Sequence, residues 1–297
     1  MQIPEILNRH ATNFSFEFFP PKTEESSKRL FKAIEELAPL DPCYVSVTYG
    51  AGGTTRELTY ELLLKIKQET DIPVVSHLTC VGSSKDEINA LLQNYWDSGI
   101  RNILALRGDP PQGETKFTPP ENGFNNATEL VAFIRKNYPR MGIGVAGYPE
   151  GHPETPNRIQ EIENMKRKVD AGADYICTQL FFDNRDFYDY CERCEHVGID
   201  IPIIAGIMPI TSKKGMYKMA DLAAGSRIPA KLLKAIDRAE DEEYIQNVGT
   251  HWATQQVMDL LDNGVQGIHF YTLNRSNAAI NIYHSLGVTT SRKLREW

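Results

Sequence analysis

No stretch of the 297-residue chain approaches the roughly 18 to 20 apolar residues that a membrane-crossing helix requires, and residues 1–10 hold no apolar run of signal-peptide length. Both absences lead us to expect a soluble, cytoplasmic protein with no membrane partner. Positive charge is also short: 32 lysines and arginines face 39 aspartates and glutamates, a formal net charge of −7. That balance argues against a general nucleic-acid surface, although it leaves room for a local basic pocket. The five cysteines are odd in number and fit a reducing compartment better than a disulfide scaffold. Cys191 and Cys194 form a C-x-x-C, but without a second Cys or His pair nearby they read as ordinary helix residues, and no metal is expected. With no glycine-, serine- or proline-rich linker to divide it, the chain is expected to form one domain over residues 1–297.

What is present is organised around residues 15–21, Ser-Phe-Glu-Phe-Phe-Pro-Pro. Phe16 and Phe18 read as a buried strand, and Pro20 and Pro21, which lack amide donors, end any ladder, so Glu17 falls at the strand's C-terminal edge. For a lone strand, a polar residue turned to solvent is the simpler explanation. The arrangement recurs, however, along the chain. Residues 43–49 (CYVSVTY) lead into Gly50, Ala51, Gly52 and Gly53. Residues 73–80 (PVVSHLTC), 101–107 (RNILALR), 142–148 (GIGVAGY), 174–182 (DYICTQLFF), 202–208 (PIIAGIM) and 267–272 (GIHFYT) repeat it. Helical spacing marks residues 24–37, 54–67, 85–96, 158–171 and 185–197 between them.

Eight nearly continuous apolar strands alternating with helices imply a parallel sheet covered by helices, and the chain length suits a (β/α)8 barrel of the TIM type. An open doubly wound sheet is the alternative, but no G-x-G-x-x-G follows the first strand and the 50–53 loop lacks that spacing. Extra helices are expected between the seventh and eighth strands, at residues 229–236 and 241–261. The long Pro- and Gly-rich connection at 110–124 has the length of a lid or binding loop.

In a barrel the strand-end loops converge on one face. That face would gather Glu17, Thr48, His77 in the third strand, Arg107-Gly108-Asp109, Tyr148, His152, Gln179 in the sixth strand, and Asn274 with Arg275. A ligand site accounts for so many polar residues at strand ends better than scattered surface does. Taken singly, His77 reads as a satisfied core histidine, Tyr148 as a packing residue, and Arg167 with Lys168 as a solvated helix face.

FEFFPP, VTYGAGG, LRGDPP, the run Tyr-Pro-Glu-Gly-His-Pro-Glu at 148–154, KRKVDAGAD, TQLFFD and HFYTLNR, in this order, resemble the single-domain bacterial type of methylenetetrahydrofolate reductase over nearly the whole chain. The resemblance implies an FAD-containing barrel that reduces 5,10-methylenetetrahydrofolate to 5-methyltetrahydrofolate with NADH or NADPH, and no C-terminal regulatory domain. It implies that Glu17 is the acid that protonates the folate's departing nitrogen, its pKa raised by aromatic neighbours. Asp109 would lie near both flavin and pterin. Thr48, Gln179 and Arg275 would join Glu17 and Asp109 at the substrate, with Arg275 on the folate's glutamate carboxylate. Flavin or nucleotide contacts would come from Thr48, Tyr49, Ala51, His77, Arg107, Gly108, Asp109, Ala127, Tyr148, His152, Glu161, Asn164, Arg167 and Lys168.

Asn164, Arg167 and Lys168 share a helical i, i+3, i+4 spacing, from which one face could reach a diphosphate. Lys213 stands where some members place an apolar or aromatic residue against a substrate ring. A homo-oligomer is expected. The competing readings are a flavin-free folate or corrinoid methyltransferase on the same barrel, and a non-catalytic ligand-binding paralogue.

Overall fold

The structure, a computed structural model, describes residues 1–49, 53–110, 117–223 and 225–295. In chain order the elements are α1 (Ile3–Leu7), β1 (Asn13–Phe18), α2 (Glu24–Leu37), β2 (Tyr44–Val47), α3 (Gly53–Thr70), β3 (Val74–Thr79), α4 (Lys85–Asp97), β4 (Asn102–Leu106) and α5 (Ala127–Asn137). They continue with β5 (Gly142–Gly147), α6 (Arg158–Asp170), β6 (Tyr175–Thr178), α7 (Asn184–His196), β7 (Ile203–Ile207), α8 (Lys213–Leu222), α9 (Ala230–Asp237), α10 (Glu242–Asp262), β8 (Gly267–Tyr271), α11 (Asn277–Ser285) and α12 (Ser291–Leu294). The eight strands pair in parallel in sequence order, and β1 pairs with β8 from Asn13↔Gly267 to Glu17↔Tyr271, closing the barrel. The expected (β/α)8 barrel with extra helices between β7 and β8 is therefore the observed fold.

Strand alternation sets the two sides of the barrel wall. On β1, Phe14, Phe16 and Phe18 are buried in the layer between barrel and helices, with Leu30, Ile34 and Leu37 of α2. Asn13, Ser15 and Glu17 therefore face the barrel interior. The lower interior is apolar: Tyr44, Val75, Leu104, Tyr175, Cys177 and Ile204 form one buried cluster with Ile3, Ile6 and Leu7 of α1, which plugs the N-terminal end. Asn102 fixes that plug by accepting from the Ile3 amide at 2.8 Å and donating to the Val74 carbonyl at 3.2 Å.

Most covering helices start on a side-chain cap: Thr23, Ser84, Asn126, Asn157, Asp183, Ser212 and Asp241 each accept a backbone N–H from the first turn. Two of these helices, α5 and α8, are absent from the sequence reading. The helix α5 is signalled by the Asn126 cap, by Glu129 three residues on, and by buried Leu130, Val131 and Ile134, but it follows directly on the Pro-rich loop. The segment between β7 and β8 thus holds α8 in addition to the two helices expected there. The sixth strand is shorter than residues 174–182, so Gln179 lies just beyond it. Its amide still bonds the Gly147 carbonyl at 2.7 Å, but its side chain caps the Leu180 amide at 2.9 Å as the chain leaves the ladder.

Candidate active site

Glu17 stands at the C-terminal mouth of the barrel, where the last interior positions of neighbouring strands meet. Its Oε2 lies 3.5 Å from His77 Nε2 and 3.8 Å from His269 Nε2. The flanking phenylalanines point the other way, into the helix layer, so the groups nearest the carboxylate are the two imidazoles. His269 is fixed on both sides: Nδ1 meets Ser15 Oγ at 2.7 Å, Nε2 meets Ser46 Oγ at 3.2 Å, and its ring stacks on Tyr44 at 5.9 Å. Burial pushes the His77 pKa down to about 4 against the opposing pull of Glu17, so this imidazole is neutral near pH 7. His77 Nε2 and, one interior position further along β3, Thr79 Oγ1 are buried without a hydrogen-bond partner among the described residues. Orphaned polar atoms at a barrel mouth are what a bound ligand satisfies.

A second wall is built from β4, β5 and α6. Tyr148 and His152 meet edge to face at 4.7 Å, and burial pushes the Tyr148 pKa up to about 12 and that of His152 below its ordinary value. Arg107 forms a bidentate ion pair with Glu154 and lies 5.5 Å from the Phe117 ring, which ties the 148–154 run to the fourth strand's loop. Gly108 has φ +87°, and a Cβ there would come within 2.9 Å of Thr79 Cβ and 2.7 Å of Val81 Cγ2. No other residue fits that position, and the backbone is free to approach a ligand. Asp109 is exposed at the rim, close enough for its charge to act on both Arg107 and Tyr148.

On α6, Lys168 turns inward and donates to the Ala146 carbonyl at 3.0 Å. Desolvation there pushes its pKa down to about 8, against the pull of Glu161. Glu161 is itself only 3% exposed and accepts from the His152 amide at 3.4 Å. Arg167 is exposed and bonds Asn164. The expected single face of Asn164, Arg167 and Lys168 is therefore split, because consecutive helical residues diverge by about 100° and only one of two neighbours can face the barrel.

The other expected positions are spread more widely. Thr48 and Tyr49 lie at the end of β2, where the Thr48 amide bonds the Phe18 carbonyl at 2.9 Å; Ala51 falls outside the described residues. Ala127 opens α5, its side chain buried. Gln179 shares a small pocket with Tyr148. Arg275 is exposed on the β8–α11 loop, in a separate cleft. Lys213 begins α8 and pairs with Asp237 at 2.8 Å, so it belongs to the α8–α9 surface. Sequence reasoning missed His269, Ser15, Ser46, Thr79 and the pairing role of Glu154. The only sequence signal for the first three was their place in strands already read as β1, β2 and β8.

A closed (β/α)8 barrel with a carboxylate, two imidazoles and a cationic wall at the C-terminal mouth defines a protein of the TIM-barrel enzyme class. The sequence model of methylenetetrahydrofolate reductase matches residues 2–287, and the chain belongs to that family. It is 42% identical over 277 residues to the 5,10-methylenetetrahydrofolate reductase of Escherichia coli K12, covering 93% of this chain and 91% of that protein. It is 40% identical over 304 residues to methylenetetrahydrofolate reductase (NADH) 1 of Arabidopsis thaliana, covering 99% of this chain and 51% of the plant protein. The chain thus spans about half the length of the plant relatives it matches. Among solved structures, a Clostridium thermocellum protein that binds two copies of 5-methyl-5,6,7,8-tetrahydrofolic acid aligns with a TM-score of 0.67 at 19% identity, over 95% of this chain and 97% of that one. At that identity the likeness is one of fold.

Proposed function

We propose that this protein reduces 5,10-methylenetetrahydrofolate to 5-methyltetrahydrofolate with NADH or NADPH, using bound FAD and a ping-pong sequence in which Glu17 supplies the proton. The observation that carries the proposal is the Glu17 carboxylate at the barrel mouth, 3.5 Å from a histidine that burial keeps neutral. The residues fit FAD. Among the described residues His77 Nε2 and Thr79 Oγ1 have no hydrogen-bond partner, Gly108 leaves the backbone open, and Lys168 offers an inward cation on the opposite wall. Bound FAD would supply the two-electron relay between the pyridine nucleotide and the folate's one-carbon unit.

The chain's own part is to bind, orient and protonate. His77, Arg107, Gly108, Tyr148, His152 and Lys168 line the cofactor's wall, with Thr48, Tyr49 and Ala127 beside them. Asn164, Glu161 and the exposed Arg167 extend that wall along α6. Asp109, exposed at the rim beside Arg107 and Tyr148, can accept from the amino-pyrimidine edge of the pterin, and Gln179 contacts the substrate from the pocket it shares with Tyr148. Opening the methylene bridge to an iminium ion requires protonation of the departing nitrogen. With His77 neutral and His269 held between two hydroxyls, the Glu17 carboxyl is the group at the mouth best placed to deliver that proton. The names of the plant relatives specify NADH, which favours it as the donor here.

The purified protein should be yellow, and NADH should bleach its flavin absorbance under anaerobic conditions. A colourless protein that FAD cannot reconstitute would overturn the proposal in favour of flavin-free methyl transfer on the same barrel.

A further inference from the structure

Three segments distant in the chain meet beside Gln179: the turn 148–151 after β5, residues 179–183 between β6 and α7, and the connection 225–229 between α8 and α9. Tyr148, Glu150, Gln179, Leu180 and Ser226 line the small pocket between them. One cation joins the three. The Arg227 guanidinium meets both carboxylate oxygens of Asp186, in the first turn of α7, at 2.6 Å. It lies 3.4 Å from Glu150 Oε1, and the Arg227 backbone amide donates to that same oxygen at 2.7 Å. The Glu150 and Asp186 side chains are 5% and 13% exposed, and no other cation forms an ion pair with either among the described residues. Without the guanidinium, two nearly buried like charges would face each other, and their repulsion would part the 148–151 turn from α7.

The turn is braced on its other side, where the Pro149 carbonyl accepts from Arg158 at 2.5 Å and from Arg193 at 2.9 Å. Arg227 ties this braced turn to the α8–α9 connection. The next residue back in that connection, Ser226, donates through Oγ to the Leu180 carbonyl at 3.1 Å, and the Leu180 amide donates to Gln179 Oε1 at 2.9 Å. With Oε1 occupied, the Gln179 carboxamide has its Nε2 hydrogens to offer, so it meets a ligand as a donor.

We infer that Arg227 is a positioning residue for the reaction at the mouth. By pinning the 225–229 connection to Glu150 and Asp186 it holds Ser226 on the Leu180 carbonyl, and so fixes Gln179 as a donor towards the substrate. The inference rests on the reading of Gln179 as a substrate contact. Arg227 is not among the residues that line the pocket, so it acts through Ser226 and Leu180. A freely rotating carboxamide presents oxygen and nitrogen in turn. A locked one selects a substrate that sets an acceptor, a ring nitrogen or a carbonyl, against it, and loses less freedom on binding.

The test is kinetic and structural. Arg227→Met keeps much of the side chain's length and removes the cation; Ser226→Ala leaves both ion pairs intact. Each should raise KM for methylenetetrahydrofolate about fivefold to tenfold, the worth of one hydrogen bond, while anaerobic reduction of the flavin by NADH stays within about twofold of wild type. Arg227→Lys, which restores a cation opposite Asp186, should recover part of the loss. In a Gln179→Ala background Arg227→Met should raise KM no further. Hydrogen exchange at the Leu180 amide needs no substrate, and in Arg227→Met it should quicken by about tenfold while β3 keeps its wild-type rate. An equal rise in KM in both backgrounds, equal losses in both half-reactions, or unchanged exchange at Leu180 would overturn the inference. Quickened exchange in a protein that does not reduce methylenetetrahydrofolate would uphold the hold on Gln179 and strike the proposed activity alone.

Discussion

The floor and the mouth of this barrel are made by the same strands a few residues apart, yet they follow opposite rules. At the floor, Tyr44, Val75, Leu104, Tyr175 and Ile204 pack against the α1 plug, and interior glycines exist to make room: a Cβ on Gly144 would lie 2.3 Å from Tyr175 Cζ. At the mouth the interior positions carry Glu17, His77, Thr79 and His269; among the described residues His77 Nε2 and Thr79 Oγ1 lack a hydrogen-bond partner, and burial pushes the His77 pKa down. The floor is built for density, while the mouth keeps buried polar groups at the expense of stability, the division expected where a rigid scaffold carries a site.

The comparison breaks most severely at the floor. Gly144→Val forces a side chain into the fully buried Tyr175 ring, and overpacking of that kind should lower the unfolding free energy by about 3 kcal/mol or more, read as a lower urea midpoint. The folded fraction should retain its reaction at the mouth. A midpoint equal to wild type would mean that the floor can yield.

A smaller effect is expected on the wall proposed to hold FAD. Lys168 is cationic below its pKa of about 8 and neutral above it, so binding of an anionic cofactor should weaken as pH rises through that value. Replacing it with Met removes a charge-assisted contact of about 1.5 to 3 kcal/mol, roughly a tenfold to hundredfold loss in FAD affinity below pH 8, and flattens the pH profile. An FAD titration with an unchanged slope in Lys168→Met would assign the pH dependence elsewhere.

A change of similar size is expected in stability against acid at His77. Its folded pKa, about 4, lies below the unfolded value of 6.5, so the unfolded chain binds more protons in that window and stability falls as pH drops from 6.5 towards 4. The contribution is on the order of 3 kcal/mol. Thermal melts of His77→Asn should show a correspondingly shallower loss across the same window, and an identical loss would locate the acid sensitivity in other groups.

How much of this was legible depended on what kind of signal each residue leaves. Glu17 could be found because Pro20 and Pro21 mark the end of its strand, and the barrel followed from eight punctuated apolar runs. His269, Ser15 and Ser46 were not found, since a histidine in a buried strand and small hydroxyls on strand interiors look like packing until distant strands are brought together. Helical spacing located α6 as a candidate wall but did not decide which of Arg167 and Lys168 turns inward; the rotation of the helix against β5 decides it. The signal for α5, Asn126 followed by Glu129, was present in the chain but obscured by the Pro-rich loop before it. The contacts of Arg227 join it to residues 41 and 77 positions earlier, a juxtaposition no local pattern encodes.

The claim on which the account rests is that the mouth's carboxylate serves folate reduction and not flavin reduction. Anaerobic stopped flow on Glu17→Gln, following flavin absorbance in each half-reaction separately, tests it most directly. Gln keeps the shape but cannot deliver a proton. Reduction by NADH should therefore stay near wild type, while reoxidation by methylenetetrahydrofolate should slow by at least the 10² to 10⁴ typical of general acid catalysis. Reoxidation at close to the wild-type rate would contradict the assignment and leave Glu17 as a structural partner of His77 and His269.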